Sequence, residues 1–449
     1  MLDRLKNLFR QPKVKSQIQE TTEQTYAYEF DEELISPSAL KVVRRLQDAG
    51  YSAYLVGGCI RDLLLEGHPK DFDVATDATP EDTRALFRNS RIIGRRFKIV
   101  HVRYGREIIE VTTFRAHHED SSCQKQAKQS QQGMLLRDNV FGDIESDAIR
   151  RDFTVNALYY DPRDKQILDF TNGLEDIKRR RLKIIGDAEA RYREDPVRML
   201  RAVRFSAKLG FQIDQDSGEP INRLAPLLAE IPSARLFEEV LKLLLSGSAT
   251  ATLHLLREKQ LFTYLFPGTE RALRDDGEFE LKFVNQAVIN TDKRLRQNKR
   301  VTPAFIYAAF LWLPLQEAIK KLMAENKLPI QDAMQQAAHG VVGEQLASTS
   351  IPKRFSIPMR EIWSLQLRLP QREGRKAFNM MEHPRFRAAY DFALLREEAG
   401  EDLNGLGAWW TRFQDASEDQ RVKMTQEFKG RRKRRSRRKP NTKKPDAPQ

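Results

Sequence analysis

Leu55-Val56-Gly57-Gly58-Cys59-Ile60-Arg61-Asp62, followed shortly by Lys70-Asp71-Phe72-Asp73-Val74, is the stretch on which the reading of this chain turns. A strand over residues 54–56 runs into two glycines and then into Ile60, Leu63 and Leu64 at helical spacing. Backbone N–H groups at such a helix start face whatever anion lies over the turn. In the second half, acid recurs at every second position. Strand side chains alternate faces, so Asp71 and Asp73 share one side while Phe72 and Val74 point to the core, with the carboxylates about 7 Å apart. Such a pair holds hard divalent cations through oxygen, which makes the whole stretch a candidate nucleoside-triphosphate site.

Upstream, residues 1–35 are polar; only Leu2, Leu5, Leu8 and Phe9 fall at helical spacing, and the segment reads as a flexible lead-in. From Ser38 a helix carried by Leu40, Val43 and Leu46 stops at Gly50 and delivers the chain to a strand at 51–56. Downstream, Thr79-Pro80-Glu81-Asp82 opens a helix with a cap, a first-turn proline and first-turn acids. Residues 97–103 and 107–114 read as two strands about the Tyr104-Gly105 turn. In the second of these, Glu110 and Thr112 lie on the face opposite Ile109 and Val111, so Glu110 can bring a third acid to the Asp71 and Asp73 pair; Glu107 has the other parity. Residues 117–136 carry no large apolar side chain before Met134 and are expected to form a mobile loop beside the site.

Arg150-Arg151-Asp152-Phe153-Thr154-Val155-Asn156-Ala157 then sets charge against an apolar-periodic segment, ahead of a short strand at 167–170. A helix opens at Asp195-Pro196, with Arg198, Arg201, Arg204 and Lys208 in one basic arc opposite Met199, Ala202 and Val203. A row of guanidinium groups suits phosphates or base edges. Beyond about residue 215 strand patterns vanish. Helical patterns such as 234–245, 303–313 and 385–395 take over, and Pro303, Pro314, Pro329, Pro352, Pro358, Pro370 and Pro384 are expected to cut them short.

With 449 residues, 40% hydrophobic and 31% charged, the chain suits about two to four packed domains. No run of about 18 apolar residues occurs and the first residues lack the apolar centre of a secretory signal, so a cytoplasmic protein without stable membrane insertion is expected. Cys59 and Cys123 are too few for a disulfide framework or a four-ligand zinc site. The seven histidines include no HExxH pattern, which leaves a zinc hydrolase nothing to build on. The net charge of +14 argues for a polyanionic partner, nucleic acid before membrane surface. Part of that charge sits in the closing run Arg431-Arg432-Lys433-Arg434-Arg435-Ser436-Arg437-Arg438-Lys439, which reads as a disordered basic tail.

Taken together, Leu55-Val56-Gly57-Gly58 with Arg61-Asp62, Asp71-Phe72-Asp73, the 150–157 segment and Glu194-Asp195-Pro196-Val197-Arg198-Met199-Leu200-Arg201-Ala202-Val203-Arg204-Phe205 resemble the four signature motifs of the class II nucleotidyltransferases. That superfamily joins tRNA CCA-adding enzymes to bacterial poly(A) polymerases. Ile92-Ile93-Gly94-Arg95-Arg96-Phe97-Lys98-Ile99-Val100-His101-Val102 resembles the segment that marks the poly(A) polymerase branch, and Ile231-Pro232-Ser233-Ala234-Arg235-Leu236-Phe237-Glu238-Glu239 and the basic tail are similar to that branch as well. The resemblance runs from about residue 38 to the end.

The resemblance implies an α+β fold: a nucleotidyltransferase head over 36–165 with a small, mixed and mostly antiparallel sheet flanked by helices, then an all-α remainder. The latter comprises a base-recognition neck over 166–230, a helical body and RNA-binding region over 231–429, and the tail from 430. It implies Asp71 and Asp73 as ligands of Mg²⁺, with Mn²⁺ as the alternative. Gly58 and Arg61, with Gly57 in the turn, would meet the triphosphate of ATP; Arg151 and Asp152 would lie at the ribose and sugar-phosphate; Asp195, Arg198 and Arg201 would read the base, with Arg204 on the same arc. The third catalytic acid stays open between Glu110, which strand parity favours, and Asp152, which the motif favours. Arg431, Arg432, Lys433, Arg434, Arg435, Arg437, Arg438 and Lys439 would hold RNA. The implied activity is template-independent addition of AMP to RNA 3′ ends with release of pyrophosphate, by a monomer acting on mRNA fragments, small RNAs and tRNA precursors alongside RNA-decay proteins. The alternatives are a CCA-adding enzyme, and a non-catalytic RNA-binding protein, which would not be expected to retain the acids. One departure stands out: where the family has two adjacent glycines, this chain has Asn172-Gly173. Asn tolerates left-handed backbone, so the turn is expected to survive.

Overall fold

The computed structural model describes residues 19–22, 24–94, 98–116, 127–129, 135–138, 141–274 and 278–426. The basic tail, Arg95 to Phe97 and most of the 117–136 segment therefore lie outside the described residues; the part of that segment which is described pairs as a short two-stranded ribbon. The chain divides into two compact units, Met1–Leu228 and Ala229–Gln449.

The first unit is built on one sheet. Its strands are β1 (Gln19–Thr22), β2 (Thr25–Ala27), β3 (Ala53–Val56), β4 (Asp73–Thr76), β5 (Ser90–Ile93), β6 (Ile99–Tyr104), β7 (Glu107–Thr113), and, after the ribbon formed by β8 (Ala127–Gln129) and β9 (Leu135–Asp138), β10 (Leu158–Asp161) and β11 (Gln166–Asp169). The order across the sheet is β1-β2-β11-β10-β3-β4-β7-β6-β5. Every pairing is antiparallel except β4 with β7. This is the mixed, mostly antiparallel sheet expected of the head. Its helices are α1 (Pro37–Asp48), α2 (Gly58–Leu64), α3 (Pro80–Leu86), α4 (Ile144–Arg150), α5 (Gly173–Lys178), α6 (Ala188–Glu194), α7 (Val197–Leu209) and α8 (Gln215–Leu224).

The local signals behave as the residues dictate. Ser36 caps α1 by accepting from the N–H groups of Ser38 and Ala39, and Leu40, Val43 and Leu46 bury its inner face. Thr79 and Asp82 satisfy each other's backbone N–H in a capping box at α3. Val74, Leu55 and Val111 are buried on one face of the sheet. On the other, Val56, Ala75, Phe114 and Tyr159 form a cluster with Ala148, Ala157 and Ile185. Asn172 does adopt left-handed backbone, with φ 62° and ψ 32°. The glycine that cannot be replaced is the next one: a Cβ on Gly173 would press into the Thr154 carbonyl, whose carbon lies 2.9 Å from that position.

Four expectations differ from the structure. The stretch from 166, expected to open an all-α neck, begins with β11, which pairs with β10 and β2 in the head sheet. Residues 24–35 are not a loose lead-in, since β2 pairs along β11 from Gln166 to Leu168 and the Phe30 ring packs edge-on against Tyr160 at 4.8 Å. Aromatic side chains spaced along a polar segment supplied the apolar surface that the overall polarity hid. Strand β5 lies where only a family signature was read, because its four residues are half exposed and carry no clean alternation. In the second unit, Pro314 and Pro358 sit inside the helices Trp312–Asn326 and Lys353–Gln366 rather than ending them. Pro314 falls in a first turn, where an N–H has no intrahelical acceptor to lose. Pro358 is carried by a helix whose Met359, Ile362 and Trp363 are buried, and that packing offsets the lost bond.

The second unit is helical throughout its described residues, from Ser233–Leu244 to Leu406–Asp415, with helices as long as Glu278–Arg296 and Ile330–Ser348. Its interior is aromatic. Phe262, Phe266, Phe310 and Tyr307 pack together, and the buried indole N–H groups of Trp363 and Trp410 donate to the carbonyls of Ala308 and Leu369 at 3.0 and 3.1 Å.

Candidate active site

A single row across the sheet sets the site. Tyr159 of β10 is opposite Val56, Val56 is opposite Asp73, Asp73 is opposite Glu110, and Glu110 is opposite His101. Register partners project to one face, so this row aligns the last residue before the glycine turn with one acid of β4 and one of β7. Asp71 precedes β4 and is exposed, while Phe72 and Val74 are buried on the other side, as the alternation requires.

Burial first, then the negative charge of Glu110 and of Asp71, raise the Asp73 carboxyl to about 6, with the Arg151 cation opposing. The three carboxylates thus feel one another. His101 Nε2 lies 3.2 Å from Glu110 Oε1 without making a hydrogen bond to it. Among the described residues no three or more His, Cys, Asp or Glu side chains already close around a metal position. What is present is an open, all-oxygen, charge-rich cluster beside the glycine turn, a donor set that fits a hard divalent cation.

Gly57 holds φ at 83°, which a side chain would resist, and a Cβ there would come within 3.6 Å of Arg151 Nη1. Helix α2 begins at Gly58 with no side chain capping its first N–H groups. Arg61, in the same helix, is buried: it donates to Asp62 Oδ1 through Nε at 2.8 Å and to Asn156 Oδ1 through Nη1.

The 150–157 segment links the sheet to α7. Asp152 accepts from the Phe153 N–H at 2.8 Å, from Asn156 Nδ2 at 3.1 Å and from Arg201 Nε at 2.6 Å. Burial works against its charge, yet Arg201 and these donors hold it down to about 2. Asp152 is therefore committed to Arg201, whereas Glu110 is the acid in register with Asp73. Arg151 is held by Asp147 Oδ2, at 2.9 Å from Nη2, and by the Tyr159 hydroxyl, at 2.9 Å from Nε. Tyr159 in turn donates to Asp147 at 2.6 Å.

The basic arc of α7 is not a free face. Arg198 meets Glu194 and the Arg191 carbonyl, Lys208 lies 3.5 Å from Asp62, and the guanidinium carbons of Arg61, Arg201 and Arg204 stand 5.3, 5.1 and 4.2 Å from the centre of the Phe205 ring. Asp195 accepts from the Val197 N–H at 3.3 Å at the mouth of α7. Sequence reasoning missed two members. Asp147 orients Arg151, and its signal was an acid four residues before an arginine on one helix. Arg191 binds Glu194 at 2.8 Å and the Arg150 and Arg151 carbonyls at 2.5 and 2.6 Å, a contact between distant segments that nothing local announces. The tail residues expected to hold RNA lie outside the described residues.

Three family models match the chain: a poly A polymerase head domain over 53–183, a probable RNA and SrmB-binding site of polymerase A over 210–273, and a polymerase A arginine-rich C-terminus over 326–444. The chain is 50% identical to the poly(A) polymerase I of Salmonella typhimurium over 398 residues, 88% of this chain and 86% of that one. It is 51% identical to the poly(A) polymerase I of Escherichia coli O6:H1 over 384 residues, 85% of this chain and 83% of that one. The CCA-adding enzyme of Leuconostoc mesenteroides is 39% identical over 230 residues, 51% of this chain and 55% of that one. In fold, the chain is similar to a solved tRNA-processing enzyme in its apo form, with a TM-score of 0.58 at 20% identity, over 86% of this chain and 99% of that one.

Proposed function

The chain belongs to the poly(A) polymerase family of nucleotidyltransferases, and from this premise we propose how its head transfers AMP from ATP to RNA 3′ ends. It is a polynucleotide adenylyltransferase. The observation that carries the mechanism is the row Val56, Asp73, Glu110, which sets an acid cluster beside the uncapped glycine turn.

Asp71 and Asp73 would hold Mg²⁺, with Glu110 as the third acid. When bound, the ion supplies Lewis acidity to the attacking 3′-hydroxyl and charge neutralisation to the α-phosphate and leaving oxygens. The N–H groups at Gly58 and the start of α2 face the departing pyrophosphate. Arg151, fixed by Asp147 and Tyr159, presents a cation toward the phosphates without rotamer freedom to lose. Asp152 holds Arg201 in place through a carboxylate already ionised at neutral pH. Asp195 and Arg198 flank the base: an acceptor for the exocyclic amine and a donor for a ring nitrogen together select adenine without a template. The basic tail holds RNA by its phosphates between additions. The reaction runs in the cytoplasm on RNA fragments, marking their 3′ ends for decay.

The test is incubation of the full chain with Mg²⁺, a 3′-hydroxyl oligoribonucleotide and each NTP separately, with a tRNA lacking its last three nucleotides as second substrate. A ladder of many residues with ATP alone, absent in Asp71→Ala, is expected. Two C and one A added only to the tRNA would instead identify a CCA-adding enzyme.

A further inference from the structure

The second unit carries a cleft of about 740 Å³, among helices Glu278–Arg296, Pro303–Phe310, Lys353–Gln366 and Phe386–Glu398, that no step above uses. Its floor is apolar and partly aromatic, with Phe305, Phe355, Ile362 and Leu394. Its rim is cationic: seven Lys and Arg side chains line it against two acids. One of those acids, Asp391, is shared by Arg387 at 3.0 Å and Arg294 at 3.4 Å, and the other, Glu398, accepts from Asn290 at 2.6 Å. Lys293, Lys299, Arg300 and Arg354 make no ion pair among the described residues, although the Arg354 guanidinium lies 4.8 Å from the Phe355 ring centre.

Gathering unpaired cations around an apolar floor costs self-repulsion that an anionic occupant removes. The volume is that of a pocket for small molecules or individual bases rather than for a folded partner. The chain's own basic tail has the wrong charge to fill it. An apolar, arginine-edged floor within a ring of cations is the chemistry that takes unpaired bases by stacking and their phosphates by charge. Building on the RNA substrate proposed above, we propose that this cleft binds a single-stranded segment of the RNA, upstream of the 3′ end being extended, with bases against Phe305 and phosphates on Lys299 and Arg300.

The experiment uses the full chain, without ATP and with a chelator, and follows a 5′-fluorescent oligoribonucleotide by anisotropy across a salt series. Loss of two phosphate contacts in the double variant Lys299→Gln, Arg300→Gln is expected to flatten the slope of log K against log salt by about 1.4, which near 0.1 M salt is about 25-fold weaker binding. Photo-cross-linking of the wild type with 4-thiouridine RNA is expected to label peptides spanning residues 293–305 or 353–362. Lys320→Gln with Lys321→Gln removes the same charge away from the cleft and should leave the slope near the wild-type value. An unchanged slope in the first variant, equal loss in the second, or cross-links confined to other peptides would overturn the proposal. So would displacement of the RNA by an acidic peptide of equal length, which would make the cleft a protein-docking site. A wild type that extends RNA while the first variant binds as tightly sinks the cleft alone; a wild type that neither binds nor extends RNA sinks the functional reading beneath it.

Discussion

Replacing Asp73 by asparagine should make the metal-free protein more stable while abolishing its chemistry. In the folded chain the Asp73 carboxyl is raised to about 6 from its ordinary 3.8, by burial first and then by Glu110. A folded-state value above the unfolded one means that the protonated form is favoured by folding. That contribution is complete below about pH 4 and is lost as pH rises through 6. The gap corresponds to about 3 kcal/mol of stability forfeited at neutral pH, which the uncharged asparagine does not forfeit. All four tryptophans, Trp312, Trp363, Trp409 and Trp410, lie in the second unit, so tryptophan fluorescence would miss the effect. Amide hydrogen exchange of β3, β4 and β7 in the presence of a chelator is the suitable assay. Wild type and variant should open with equal free energy near pH 4 and diverge by about 3 kcal/mol at pH 7.5, and added Mg²⁺ should close the gap by protecting the wild type alone. Equal protection of the two proteins at pH 7.5 without metal would refute the claim that Asp73 is a strained acid. Closure of the gap by Mg²⁺ acting on the variant as well would refute its role in holding the ion.

Other consequences are equally direct. Gly173→Ala forces a methyl into the Thr154 carbonyl and should lower the melting temperature of the head, by overpacking worth about 1–3 kcal/mol, whereas Asn172→Gly should leave it nearly unchanged. Asp147→Asn leaves Arg151 without its anion and should cost about 3 kcal/mol or more by denaturant titration, with a raised KM for ATP; a KM equal to wild type would separate Arg151 from nucleotide binding. Removing residues 431–449 takes away the run of eight basic residues in nine. With Lys443 and Lys444 ten cations are lost in all, so the salt dependence of RNA binding should flatten by as much as about 7 in slope, and an unaltered slope would discount the tail.

What could be read from the residues alone was local chemistry. The Gly57-Gly58 turn, the alternation about Asp73 and the parity of Glu110 follow from backbone geometry over a few positions, and the parallel register of β4 with β7 then places Glu110 beside Asp73. The Asn172 turn followed from one residue's conformational tolerance. The pairing of Asp152 with Arg201 could not be read locally, because it spans 49 positions with no periodic trace. The arc on α7 was legible as a helix face, but its partners Glu194, Asp62 and Asp152 were not, so a face that reads as a solvated stripe is a largely neutralised one. Likewise β2 escaped notice because a three-residue strand carries too little pattern to stand above its polar surroundings.

That strand also has a history in time. Residues 25–27 pair at once with 19–22 but find their second partner only at 166–168, and β3 waits for β10 over a shorter interval. During synthesis at about 5–20 residues per second, β2 leaves the ribosome roughly 7 to 28 s before β11 exists to receive it. The β3, β4, β7, β6, β5 portion can pair as it emerges, but the sheet is completed from its far side, last strand first joined to the oldest. Until β10 arrives, the nascent head keeps the edge of β3, which leads into the glycine turn, open to any strand that will pair with it.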